Sequence, residues 1–402
     1  MRATAGAAAV AVLLGAGAGV AVLRADSGGS DDCARGPAGA GCAKAGASRS
    51  VPSSGAALQV RIDSARGFGL QGPTAATVAG GHLWITNSLG DSVTELGWRV
   101  GVHPVVRSAA SYGFWGPGAM AAGHGRLWVA NVQANSITEM SLATGGIIRT
   151  IEGDSRLARP YALVLAGMRL WVANAAADSI AEINASTGRL TAVFRGHRYG
   201  FDSPRALAVS HGRLWVANAG GDSVTELSAA TGAWIATLRG GRFGFADPVS
   251  EVAGRDRLWV GSQAGDSITE ISTRTGRLVR MLSGSRYGFA NPAAMTLADG
   301  RLWVVNSLGN SLTEIDAATG RLIQFLSGQR FGFADPTGIA AYRNRIWVTN
   351  LADDSVTELL PARPSSSRAG PLRTRKVQLA AGSDAPVQLI GLAWQVGRPP
   401  QP

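Results

Sequence analysis

Among the residues able to carry charge or move protons, Glu251 breaks a pattern that the rest of the chain keeps. Three residues after each of seven regularly placed prolines stand Ala76, Met120, Leu163, Leu207, Met295 and Ile339, but in the fifth case Glu251. The same stretch has Ser250 where the others have Ala or Gly, and Ser262 where the others have Asn. A carboxyl in an apolar position is costly unless it is solvated, paired or protonated. The sequence therefore predicts a ligand-contacting acid at Glu251, helped by Arg242 from the preceding connection. A pair with Arg255 or Arg257, or a place on a solvated channel wall, would use the same charge structurally.

A second set of candidates recurs before the prolines. It reads Arg198-Tyr-Gly-Phe201, Arg242-Phe-Gly-Phe245, Arg286-Tyr-Gly-Phe289 and Arg330-Phe-Gly-Phe333, with degenerate forms at Phe68 and Tyr112-Gly-Phe114. Guanidinium groups beside aromatic rings suit an acidic glycan, peptide carboxylates or a phosphate. The alternative is that the rings plug gaps in the fold while Arg198, Arg242, Arg286 and Arg330 pair with nearby aspartates. Acid–base chemistry is poorly supplied. His82, His103, His124, His197 and His211 are dispersed, and no nucleophile motif is present. No catalytic residue, metal ligand set or cofactor is predicted, and enzymatic activity is not the expected use of this chain. Asparagines such as Asn218, the Asp-Ser or Asn-Ser pairs near Ser223 and its equivalents, and glutamates such as Glu95, Glu226 and Glu358 recur with the repeat. Such repetition points to scaffold roles, with the side chains satisfying turns.

What must position these groups is a repeat. Tryptophans at 84, 128, 171, 215, 259, 303 and 347 are separated by 44, 43, 44, 44, 44 and 44 residues. Each repeat proline, from Pro73 to Pro336, precedes its tryptophan by 11 residues. Inside one unit, Arg205–Val209, Leu214–Ala217, Val224–Leu227 and Ala233–Leu238 are short β-branched and aliphatic runs bounded by Gly, Asn, Asp and Pro. Such runs read as strands. Four strands in about 40–45 residues describe a propeller blade. The expected fold is all-β: a seven-bladed β-propeller with four-stranded blades. The segment Ala57–Ile62 resembles the end of a repeat, while the last repeat stops after its third strand, so the N-terminal segment is expected to close the last blade. The tryptophans are expected to pack between blades.

The Leu-Trp-Val-Ala-Asn, Asp-Ser-Val/Ile-Thr-Glu-Leu/Ile and Ala-Thr-Gly-Arg-Leu phrases resemble the YVTN and NHL families of propeller repeats over about residues 57–360. The resemblance implies the fold and, more distantly, a likeness to propellers such as the streptogramin B-inactivating lyases. It implies extracellular sensing, adhesion or surface-layer modules as much as catalysis.

Outside the repeats, residues 1–25 read as a signal peptide or an N-terminal membrane anchor, with one apolar run between Arg2 and Arg24. Residues 26–56 form a Gly/Ala/Ser-rich linker. Its two cysteines, Cys33 and Cys42, would close a short disulfide loop in an oxidising compartment. Residues 57–361 make the propeller, and 362–402 a Pro/Ser/Arg-rich tail with an apolar segment at 387–396. Of the formal charge of +11, these parts carry +2 (1–56), +4 (57–361) and +5 (362–402). The propeller is only mildly basic, so nucleic acid is not an expected partner. The expectation is an extracytoplasmic, secreted or surface-anchored monomer. Its partner would be an extracellular protein, glycan or small molecule, bound on the loop face or at the channel mouth. Membrane contact would come only through the N-terminal segment or the tail. The rival expectation is a lyase-like enzyme with a polar site at the channel mouth.

Overall fold

The computed structural model describes residues 58–63, 68–97, 103–153, 156–254, 256–343 and 345–360. The expectations for the N-terminal segment, Cys33 and Cys42, and the basic tail lie outside these residues. Seven four-stranded antiparallel sheets are present. The first strands of blades one to seven are Pro73–Ala79, Pro117–Gly123, Pro160–Ala166, Pro204–Ser210, Pro248–Gly254, Pro292–Ala298 and Pro336–Tyr342. Each first strand lies against the first strands of both neighbouring blades, blade seven against blade one included, so these strands form a ring. The protein is a seven-bladed β-propeller.

In each blade the proline pairs with the asparagine or serine ending the second strand, as Pro204 with Asn218 and Pro248 with Ser262. This end defines the loop face. It carries the loops between second and third strands and the connections between blades, while the short hairpin turns occupy the opposite, turn face. The residue after each proline is bulged out of register, as between Pro160 and Ala162 or Pro204 and Ala206, which re-aims that side chain. In blade seven the fourth position is taken by Leu58–Asp63, paired antiparallel with Ser355–Leu360, Leu58 opposite Leu360 and Asp63 opposite Ser355.

The seams between blades are the core. In the seam of blades two and three, Trp128, Ala119 and Ala130 meet Leu163 and Leu170. In the next, Trp171, Ala162 and Ala173 meet Leu207 and Leu214. The tryptophans thus pack between blades. The residue two after the proline faces the following blade, and the residue three after faces the preceding one. Stacked sheets bury both faces of the inner strands, so these strands are apolar nearly throughout.

Three repeated polar devices hold the blades in place. First, the asparagine ending the second strand donates to the serine and threonine of the third, as Asn218 Nδ2 to Ser223 Oγ (3.2 Å) and Thr225 Oγ1 (3.0 Å). The threonine in turn donates to the carbonyl of the aromatic in the preceding connection, Thr225 to Tyr199 (2.9 Å). Second, the residue before the serine accepts from the backbone N–H just ahead of the next proline. Asp222 Oδ1 takes Asp247 N–H at 2.8 Å, and Asp354 takes Gly72 N–H at 2.6 Å, joining the two ends of the ring. These acceptors have positive φ, 44° at Asp222, a conformation that Asp and Asn tolerate best among residues with side chains. Third, the third-strand glutamates form ion pairs and do not cap turns as the sequence suggested. Arg126, Arg169, Arg213, Arg257, Arg301 and Arg345 reach Glu139, Glu182, Glu226, Glu270, Glu314 and Glu358. In blade one His82 and Arg107 share Glu95. Burial pushes the Glu270 and Glu314 carboxyls up, and their arginine neighbours pull them part of the way back.

Candidate functional site

The aromatics of the inter-blade connections enter the seams. Phe243 is 1% exposed and stacks on Phe245 at 5.3 Å between centroids. Gly244 between them sits at φ 61°, a conformation glycine adopts without strain, and this lets both rings turn to the same side. Tyr199 with Phe201, Tyr287 with Phe289 and Phe331 with Phe333 repeat the arrangement. The arginine caps each stack from solvent. Arg198, Arg242, Arg286 and Arg330 lie 5.2, 4.7, 4.7 and 4.5 Å from the ring that follows each in sequence. The four guanidinium groups are spread one per connection and do not converge on Glu251. Beside Arg286, an open surface cleft of about 490 Å³ runs between Arg280, Tyr287, Thr319 and Arg321.

Glu251 is 2% exposed, and among the described residues neither carboxyl oxygen has a hydrogen-bond partner. Its position, three after the proline, faces the seam with blade four rather than the axis. In that seam Ala206 and Ala217 form a small cluster apart from the main one. Elsewhere the equivalent alanines join Leu163 or Leu207. Burial alone pushes this carboxyl well above the ordinary glutamate value. Arg257 is committed to Glu270 at 2.8 Å, and Arg242 to its own ring; Arg255 lies outside the described residues. The neighbouring changes form a set. Ser250 donates to the Pro292 carbonyl (3.3 Å), and a Cβ at Gly261 would collide with the Ser250 hydroxyl. Ser262, standing for the asparagine, leaves its hydroxyl buried and unpartnered.

Sequence reasoning passed over another cluster, at the loop-face end of the inner strands. The residue after the proline is Tyr161 in blade three and Arg205 in blade four, both bulged at the mouth of the ring. Arg159 and Arg205 lie 5.5 and 5.4 Å from the Tyr161 ring centre, and Arg159 donates to the Tyr161 hydroxyl at 3.1 Å. The signal was visible: in the other blades that position holds Thr74, Gly118, Val249, Ala293 and Thr337. Further apolar side chains crown the same face. Leu89 and Leu308, in the loops between second and third strands of blades one and six, are 75% and 77% exposed, and Trp115, before blade two, is 56% exposed.

The fold has solved counterparts. A streptogramin B lyase matches with a TM-score of 0.64 at 18% identity, covering 75% of this chain and 97% of that one. The virginiamycin B lyase from Staphylococcus aureus matches with the same TM-score and identity, over 76% of this chain and 99% of that one. A computationally designed protein, Ika8, matches at 0.55 and 13% identity, over 76% and 100%. No family model matches the sequence, and no curated protein does. At these identities the likeness concerns the propeller fold. A histidine-to-alanine variant of the S. aureus enzyme is described as catalytically inactive, in a structure with quinupristin. Here His124 and His211 sit in hairpin turns, and no histidine occupies any of the seven first strands.

Proposed function

We propose that this protein is an exported or surface-anchored interaction module that recognises a ligand or protein with its loop face. The observation that carries this reading is the exposure of Leu89, Trp115 and Leu308 on that one face, from blades one, two and six, an arc of the ring that also includes blade seven. Solvent disfavours such side chains, and exposed apolar groups gathered on one face mark recognition surfaces. The direction of the chain ends agrees. Leu58 and Leu360 are register partners at the turn-face end of their strands, so a tether on the N-terminal side would leave the loop face free. The experiment is a glycan, peptide and small-molecule binding screen on the full chain. Any hit is then compared between a loop-face variant (Leu89→Ser, Trp115→Ser, Leu308→Ser) and a turn-face variant (Met168→Ser, Tyr342→Ser). Loss confined to the first supports the reading.

The fold likeness to streptogramin B lyases motivates a second reading, catalysis at the channel mouth. Incubation with quinupristin checks it by liquid chromatography: an unchanged antibiotic peak is the expected outcome, and conversion to a new product would establish the enzyme.

A further inference from the structure

We propose that the mouth of the ring at blades three and four is an oxyanion site, in which Arg159 and Arg205, placed around the Tyr161 ring, bind a carboxylate or phosphate group of the ligand. This rests on the loop-face reading above and names the chemistry that part of the face selects.

One set of arginines in the fold is committed to glutamates. The arginines opening the second strands and those of the outer strands at 107, 149 and 280 each hold a buried glutamate. Arg159 and Arg205 lie outside that set and, like Arg198, Arg242, Arg286 and Arg330, approach an aromatic ring, but these two share one. Among the described residues neither makes an ion pair, although both approach the same phenol ring. Two like charges around one ring repel each other, and the quadrupole attraction of the ring offsets only part of that. The Arg205 Nε–H is buried and has no acceptor among the described residues, a donor whose desolvation none of them repays. Asp247 of blade five feels the Arg205 guanidinium but makes no ion pair with it, and its backbone N–H is held by Asp222.

An oxyanion would complete this set. Its oxygens can accept from the Arg205 fork and from Arg159, forming charge-assisted hydrogen bonds and cancelling the mutual repulsion. The bulge after each proline takes Tyr161 and Arg205 out of the ladder register at the loop-face end of their strands, where the Tyr161 ring is buried against Val132. Carboxylate and phosphate share this chemistry, and they differ in shape and charge.

The test uses the full chain and measures thermal stability in sodium acetate and in sodium phosphate against sodium chloride, at matched ionic strength and pH. Acetate, phosphate or both should raise Tm by about 2 °C or more, and the anion that does so names the source. In Arg205→Gln and in Arg159→Gln that increment should fall by at least half. Without the anion, Arg205→Gln should melt no lower than wild type, since it removes a repulsion. The proposal is overturned if neither anion exceeds chloride, or if the increment persists in both variants. It is also overturned if Arg205→Gln melts lower in chloride, which would make Arg205 a structural cation–π brace. Because the loop-face screen reads Leu89, Trp115 and Leu308, its success alongside failure here would reject the oxyanion and keep the module.

Discussion

Replacing Glu251 by methionine should stabilise the protein, and more so as the pH rises. The buried carboxyl holds its proton far above the ordinary value of 4.5, whereas the unfolded chain releases it near that value. Below about pH 4.5 both states are protonated, and the group's contribution does not vary with pH. Above it, the unfolded state alone gains by ionising, so stability falls by at most about 1.4 kcal/mol per pH unit until the folded carboxyl ionises too. Glu251→Met removes that loss and restores the apolar residue of the other repeats. Melting curves of both proteins between pH 4.5 and 8 should diverge with increasing pH. Parallel curves would mean that Glu251 has a partner in solution. The departure of Glu251 from the repeat was legible in the sequence, and its burial cost followed from that. Its direction was not, because whether a side chain meets the axis or a seam depends on the bulge after the proline. Only the register shows this, and it turned the expected channel acid into a seam acid.

Among the elements, the aspartate clasp between successive blades bears most on the integrity of the ring. Asp354 makes it across the chain ends, to Gly72, while Asp222 makes it within the continuous chain, to Asp247. Asp354→Ala should cost about 1–2 kcal/mol, the loss of a charge-assisted hydrogen bond plus an orphaned N–H. Asp222→Ala should cost no more, because a covalent connection already holds its two blades. Denaturant midpoints measure both, and a larger loss at Asp222 would contradict this assignment. Strand number, period and turn positions could all be read in advance, since Gly, Asn and Pro punctuate each unit. The partners of repeated polar residues could not. Glu226 looked like turn chemistry, yet it meets Arg213, 13 residues earlier in sequence, because antiparallel pairing brings the start of one strand beside the end of the next. The arginines of the connections leave two readings open in the sequence, binding groups or partners of nearby aspartates beside gap-plugging rings. Their place over Phe243 and its counterparts follows from the glycine between the rings, a conformational effect that composition does not express.

At the scale of the whole molecule, the two faces differ in what they carry. The turn face carries the arginine ends of the buried ion pairs and the ends of the described chain. The loop face carries the exposed Leu89, Trp115 and Leu308 on one arc, and Arg159, Tyr161 and Arg205 on another. Recognition is proposed to occur on that loop face. Its most direct test is the affinity of the strongest screened ligand for the wild-type chain, the loop-face triple variant and the turn-face double variant, all checked for unchanged melting. A loss of at least tenfold, about 1.4 kcal/mol, is expected in the loop-face variant and less than twofold in the turn-face one. Equal affinity in the loop-face variant, with loss in the turn-face variant, would contradict it.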